Sequence, residues 1–572
     1  MAFARPTPRA PLERRSMKTR NPFEFVSATY RNSPWIVISV SVHVIAIAIL
    51  AVWYIAKPQP PVFDAPLTVV CSLPPPKDDV PLEPLVITQR DFIPKLDPAI
   101  IDSQPLDLQE TIPITEPPDP DDVAGNPDST SELVKSADAS TSIGIKGPGH
   151  RGTEHAPFTG RGIRGDDGPP GNKKYEHHFT DRIVLDGLRW LARHQNADGS
   201  WTASGVREHC SADNPCPDPK AVWSRNYDEG LTGMALLAYL GAGFTNESKD
   251  WLLDPITHQR WLVGEVVKNG LRWLKNHQNA DGSFSRDRAF LYNDALGALA
   301  LTEAYGLTQN RYWMEPAQRG IDFIQNAQRP NPTGNGAWGW RYSSRQEIEA
   351  KYPGGSLDET GKKELFDSDL SVTGWCVMAL KSAQLSNLNV SPAALEGALA
   401  FTKWVSLPDG QAGYLDPKSA GQKVSGIGDE YTYHTASMSA LAMCVRAFSA
   451  HDASDPFLEP AARRIAADLP AAGKDGMQAD YYYWYYGSLA LHQFDGPESP
   501  RASGKYWGPW NKALVEALST SQSHDSKTCH DGGWLAPDRW CHSGGPLYAT
   551  AINVLTAEVY YRYANAFGAR RR

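Results

Sequence analysis

The sequence predicts an all-α repeat domain, six helical hairpins over residues 178–565, behind one membrane-spanning helix and a long unstructured linker. Three observations carry this. Residues 187–201 read GLRWLARHQNADGSW and residues 270–284 read GLRWLKNHQNADGSF, a near-duplicate of the kind that marks repeat architectures. Amphipathic segments alternate six times with segments that are apolar all round, as an outer helix alternates with a buried inner one. Residues 35–56 are uncharged and long enough to cross a bilayer's hydrocarbon core.

From the N-terminus, residues 1–34 carry seven Lys/Arg against Glu13 and Glu24, which places them in the cytoplasm. No small-residue cleavage site follows the apolar run, so residues 35–56 read as a signal anchor of an inner, plasma-membrane protein with its C-terminal domain periplasmic or otherwise extracytoplasmic. Residues 57–177 are first acidic and Pro-rich, then Gly-rich, and cannot bury enough apolar surface to offset chain entropy. They form a disordered tether.

Each clear repeat is an amphipathic helix ending in His-Gln, an Asp-Gly turn and an aromatic residue. Gln195, Asp198, Gly199 and Trp201 form the first joint, and Gln278, Asp281, Gly282 and Phe284 the second. Asp-Gly ends the helix because glycine accepts the left-handed conformation. Weaker copies follow at residues 320–340 (GIDFIQNAQ, then GAWGW), 397–414, 461–477 and 512–534 (KALVEALSTSQ, then DGGW). The intervening apolar helices are rich in small residues, and six such hairpins need a closed or stacked arrangement to bury both faces.

The glutamine, the DGS turn and its aromatic resemble the repeats of the prenyltransferase and squalene cyclase superfamily. That resemblance implies an (α/α)6 toroid whose inner helices line a central cavity. Class II cyclases of that superfamily protonate an alkene with an aspartic acid from a DxDD motif. The nearest match is Asp367-Ser368-Asp369-Leu370, which makes Asp369, with Asp367, the candidate acid; the same pair also suits an N-terminal helix cap. The Asp-Cys-His zinc set of protein prenyltransferases has no counterpart. The anchor resembles TonB-type energy-transducing proteins: Ser39 and His43 share one helix face, and the resemblance implies contact with a proton-driven motor complex.

At the starts of the inner helices stand Asp228, Tyr292, Asp294, Tyr433, His434, Tyr482, Trp484, Trp540 and His542, which a ring brings to one end of its cavity. Aromatics with carboxylates suit an isoprenoid carbocation, through the ring quadrupole, or a glycan, through stacking and hydroxyl contacts. Three readings stay open: an envelope-binding ring without catalysis, a divergent cyclase using Asp369, and a polysaccharide-active enzyme using Asp228 or Asp294. An extracytoplasmic address favours disulfides, Cys210 with Cys216 and Cys529 with Cys541, over a metal cluster, because the spacing fits no zinc motif. No metal and no cofactor are expected, and no Gly-rich phosphate loop or basic cluster marks a diphosphate site. A net charge of −9 gives no support to nucleic-acid binding.

Overall fold

The alternation of amphipathic and wholly apolar segments resolves into two concentric layers of helices in the computed structural model. It describes residues 178–210, 215–216, 227–254, 257–284, 290–352, 357–419, 435–473, 479–535, 538, 541–563 and 566–567. The anchor, the tether, Ser39 and His43 lie outside these. Among the described residues no helix is long and apolar enough to cross a membrane.

In chain order the helices are α1 (His178–Arg193), α2 (Asp228–Gly241), α3 (Val263–Asn276), α4 (Leu291–Thr308), α5 (Arg311–Ala327), α6 (Arg345–Lys351), α7 (Glu359–Phe366), α8 (Leu370–Leu385), α9 (Pro392–Trp404), α10 (Thr435–Ala450), α11 (Leu458–Ile465), α12 (Tyr481–Asp495), α13 (Trp507–Ser521), α14 (Cys541–Ala557) and α15 (Val559–Arg562). A short antiparallel ribbon, β1 (Trp251–Leu253) and β2 (Arg260–Leu262), leads into α3.

The inner helices close a ring. α2 packs on α4, α4 on α8, α8 on α10, α10 on α12, α12 on α14, and α14 back on α2. Five outer helices, α1, α3, α5, α9 and α11, each bridge two neighbouring inner ones, while α13 rests on α12 and α1. The inner helices are buried on every face: in α2 all residues from Glu229 to Gly241 are buried. Small residues allow this, since Gly233 packs against the Leu296 backbone and Gly374 against Leu441. The expected six-hairpin toroid is the fold observed. Three additions were not foreseen: the β-ribbon, α6 and α7 inserted in the third hairpin, and α15, which breaks away from α14.

A glutamine at four of the six joints stitches the outer layer. Gln195 Nε2 donates to the Gly199 and Val266 carbonyls, both at 2.9 Å. Gln278 does the same to Gly282 and Pro316, at 3.2 and 2.9 Å. Two of the four weaker repeats keep the device: Gln328 donates to Trp338 and Ala394, and Gln522 to Gly532 and Ile183. Each clamp ties its own turn to the next outer helix, and the last reaches round to α1.

The remaining motif residues are also architectural. Asp198 and Asp281 accept from the backbone and hydroxyl of Ser200 and Ser283, shaping the turns. Gly199 and Gly282 both have φ of 93°, and a Cβ there would meet the Asn269 and Arg319 carbonyl oxygens at 2.4 and 2.1 Å. Only glycine fits. The turn aromatic then hangs its backbone N–H on the following inner helix: Trp201 on Thr232 (3.0 Å), Phe284 on Asp294 (2.6 Å), Trp340 on Thr373 (3.1 Å) and Trp534 on Thr550 (3.1 Å).

The end of the ring opposite the inner-helix starts is filled by α15. Arg562 is fully buried and pairs with Glu303 at 2.8 Å and Glu558 at 3.0 Å, while also donating to the Leu237 carbonyl at 2.8 Å. An arginine can stay charged there because its planar fork satisfies several acceptors at once.

Candidate functional site

The starts of α4, α8 and α12 meet at the other end, where Tyr292 bonds Ser371 and lies beside Tyr482. Asp369 is the N-cap of α8, with no solvent exposure. Its Oδ1 accepts from Val372 N at 2.8 Å and from the Ser371 hydroxyl at 2.6 Å, and its Oδ2 faces Arg341 at 3.3 Å. Arg341 also holds the half-buried Asp367, at 3.0 Å. Burial raises both carboxyls above their ordinary range, and Arg341 opposes the shift in each. Burial works against the Arg341 cation too, but Asp369, Tyr414 and Asp367 keep its pKa above the usual arginine value.

This geometry makes Asp369 a helix cap within an ion-pair cluster. An alkene-protonating acid needs one oxygen carrying a proton toward substrate. Here Oδ1 is taken by the cap, and Oδ2 faces a guanidinium that has no acceptor to offer.

An aromatic wall surrounds the cluster. The Arg341 guanidinium lies 4.9 Å from the Tyr342 ring centre and 5.6 Å from that of Tyr414, and the two tyrosine hydroxyls bond each other. Tyr342, Phe290 and Tyr292 form a stacked face, with ring centres 5.8 Å apart for Phe290–Tyr342 and 5.2 Å for Phe290–Tyr292. Tyr292 donates to Ser371 at 2.6 Å, which links this face to Asp369. Deeper along the axis, Tyr482 packs on Tyr486 at 4.9 Å, and Trp375 stacks on Tyr485 at 5.5 Å. Tyr486 and Tyr548 both lie within electrostatic reach of Tyr292, and burial pushes both phenols well above their ordinary pKa. Among the described residues neither hydroxyl has a hydrogen-bond partner.

The expected rim residues divide. Tyr292 is half-buried in the stacked face, Tyr482 is buried against Tyr486, and Asp228 is half-buried at the start of α2. Asp294 is 2 % exposed and holds the Phe284 backbone, so it serves the repeat joint. Trp484 is buried against Tyr481 at 5.1 Å, and Tyr483 turns outward to the Ile465 carbonyl at 2.8 Å. The tyrosine run of α12 therefore splits between axis and wall, because successive helical positions point about 100° apart. Tyr433, His434, Trp540 and the His542 side chain fall outside the described residues.

The cysteines group differently from the expected pairs. Among the described residues no disulfide joins any of the six cysteines. Cys529 lies 3.7 Å from Cys216, while Cys541 is buried at the start of α14 near Asp538. Cys376 and Cys444 are buried core thiols, as their apolar helices implied. Sequence reasoning missed Arg341, Tyr342, Tyr414 and Tyr548. A signal existed for the first two, which immediately follow the GAWGW joint where the chain enters the mouth.

No family model and no curated protein matches the chain. Solved structures of similar outline include an inactive variant of an α-1,6-mannanase of Salegentibacter sp. HEL1_6 in complex with α-1,6-mannotriose. It is 12 % identical, with 67 % of this chain and 99 % of that chain covered and a TM-score of 0.40. The apo type II terpene cyclase MstE from Scytonema is 13 % identical over 67 % of this chain and 98 % of that one, with a TM-score of 0.39. A family 76 glycoside hydrolase from a bovine Bacteroides thetaiotaomicron strain is 12 % identical over 66 % and 78 %, also at 0.39. At this distance the likeness concerns helical architecture and says nothing of chemistry.

Proposed function

We propose that this chain is a membrane-anchored, extracytoplasmic binding ring that holds a hydroxyl-rich, glycan-type envelope ligand at its tyrosine mouth without turning it over. One observation carries the choice: among the described residues the buried hydroxyls of Tyr486 and Tyr548 have no hydrogen-bond partner, beside the half-buried aromatic face of Phe290, Tyr292 and Tyr342. A buried polar group left unpaired costs about 1–3 kcal/mol, which a ligand hydroxyl recovers and a hydrocarbon does not. Aromatic faces with a few convergent polar groups are the usual furniture of such sites. The capped, ion-paired state of Asp369 speaks against acid-initiated cyclisation of an isoprenoid. The use of Asp294 in the repeat joint removes one of the two carboxylates a hydrolase would need.

On this reading the tether, residues 57–177, carries the ring away from the bilayer, and Ser39 and His43 offer the contact for a motor complex. Native mass spectrometry of the full chain, extracted in detergent from its own envelope, tests the ligand. A retained oligosaccharide that is lost in Tyr486→Phe and Tyr548→Phe is the expected result. A retained isoprenoid, or polyprenyl turnover abolished by Asp369→Asn, would replace this reading with the cyclase.

A further inference from the structure

The turn of the first hairpin and the turn of the last meet at the ring's closing seam, and four ligating side chains meet with them. His194 ends α1. Cys210 and Cys216 follow the first Asp-Gly turn, and Cys529 lies in the last turn, 313 residues beyond Cys216. The His194 Nε2 stands 3.7 Å from the Cys210 sulfur and 3.8 Å from that of Cys216, and the Cys216 and Cys529 sulfurs are 3.7 Å apart. All four ligand atoms lie within 4.8 Å of one another.

The three separations of 3.7–3.8 Å match edges of a single tetrahedral ion. Bonds of about 2.3 Å to sulfur and about 2.0 Å to nitrogen give S···S edges of about 3.8 Å and N···S edges of about 3.5 Å. A disulfide would bring two of the sulfurs to about 2.0 Å.

The surroundings are built for ligation. His194 Nδ1 donates to the Trp190 carbonyl at 2.8 Å, which leaves the Nε2 lone pair facing the thiols. Fixing the tautomer through the other ring nitrogen is the usual support of a ligating histidine. The ring is further held by Trp190, stacked at 3.9 Å. The Cys216 backbone N–H donates to the Cys210 sulfur at 3.3 Å, a bond that favours a thiolate. His194 and Cys216 are each 1 % exposed, whereas Cys210 is half-buried and gives an ion a way in. Next door, Arg193 donates to the carbonyls of Cys529 and Asp531 at 3.0 and 3.1 Å and is locked by a two-pronged pair with Asp254. Arg193 thus pins the last turn, which carries Cys529, to the first helix.

The second repeat supplies an internal comparison. His277 has the same stack, on Trp273 at 3.8 Å, and the same Nδ1 bond to the Trp273 carbonyl, at 2.6 Å. No cysteine follows it in its turn. The histidine is therefore part of the joint's architecture, and the seam alone adds the thiols.

We propose that His194, Cys210, Cys216 and Cys529 bind one thiophilic divalent ion, zinc by ligand type and geometry, which staples the first hairpin to the last and locks the ring. The local spacing hides this site because its fourth ligand comes from the far end of the domain.

The test is metal analysis of the full chain, purified under reducing conditions without chelator. About one zinc per chain is expected, lost in Cys529→Ser and Cys216→Ser and retained in His277→Ala. Chelation should lower the melting temperature of the wild type and leave that of Cys529→Ser unmoved. Should the serine variants fail to fold, cobalt exchange into the wild type decides, since tetrahedral thiolate coordination gives an intense visible spectrum. Substoichiometric metal, zinc kept in both serine variants, or a disulfide between any two of the three cysteines, mapped by peptide mass on full chain prepared without reductant, would overturn the proposal.

Discussion

The Gln522 side chain donates to the Ile183 carbonyl at 3.0 Å across 339 residues of sequence, repeating at the seam the bond that Gln195 makes to Val266 within the first two hairpins. Gln522→Ala leaves the Ile183 and Gly532 carbonyls without this donor. A loss of about 1–3 kcal/mol is expected, read by chemical denaturation. Gln195→Ala should cost a similar amount, and a markedly smaller loss at either site would show that the clamp is not a shared device.

Asp369 gives a pH prediction. Its carboxyl is raised by burial, so the folded chain binds its proton more tightly than the unfolded chain does. Asp369 therefore contributes stability that is full below the ordinary carboxylate range and is lost as pH rises through the raised value. Asp367 shifts the same way for the same reason. Asp369→Asn keeps a good N-cap and should flatten that slope, whereas Asp369→Ala should cost a further ~1 kcal/mol for the lost cap. Denaturation midpoints measured from mildly acidic to neutral pH check both the sign and the difference.

Tyr486→Phe and Tyr548→Phe remove hydroxyls that bond nothing among the described residues. Stability should change by less than about 0.5 kcal/mol or rise slightly, while retention of the envelope ligand falls. Substantial destabilisation would mean that the hydroxyls serve the fold.

Arg562→Ala removes the cation between Glu303 and Glu558, both fully buried. Breaking such a cluster from one side costs about 3–5 kcal/mol. Arg562→Lys should recover only part, because a point charge cannot replace the guanidinium's several aimed donors.

Gly282→Ala forces a Cβ against the Arg319 carbonyl at a φ of 93° and should destabilise by more than ~1 kcal/mol. Gly334, with nothing within 4 Å of a built Cβ, is the matched site where alanine should be tolerated. Thermal melts of the pair separate backbone strain from a general dislike of alanine.

The fold was legible because its signals are local. A glutamine, an Asp-Gly turn and an aromatic each do their work within one joint, and repetition amplifies them. The mouth was half legible. Tyr292 and Asp369 stand at helix starts, which periodicity locates, but Arg341 and Tyr414 reach the mouth from loops whose paths no periodicity encodes. The cysteines misled for the opposite reason. Cys210 and Cys216 look like a closed local pair, and only ring closure brings Cys529 to them. Asp294 shows a further limit, since an acid at a helix start reads alike whether it faces a ligand or a neighbouring backbone N–H.

Because α14 returns to α2 and Gln522 to Ile183, the domain has no terminal repeat and needs no polar capping hairpin. During synthesis, however, α1 and α2 emerge with one flank bare and wait for their partners until α13 and α14 have been made. A nascent or truncated chain is thus an open arc with two adhesive ends. Two such arcs could exchange hairpins, so a late pause or stop in translation should yield swapped dimers rather than a smaller ring.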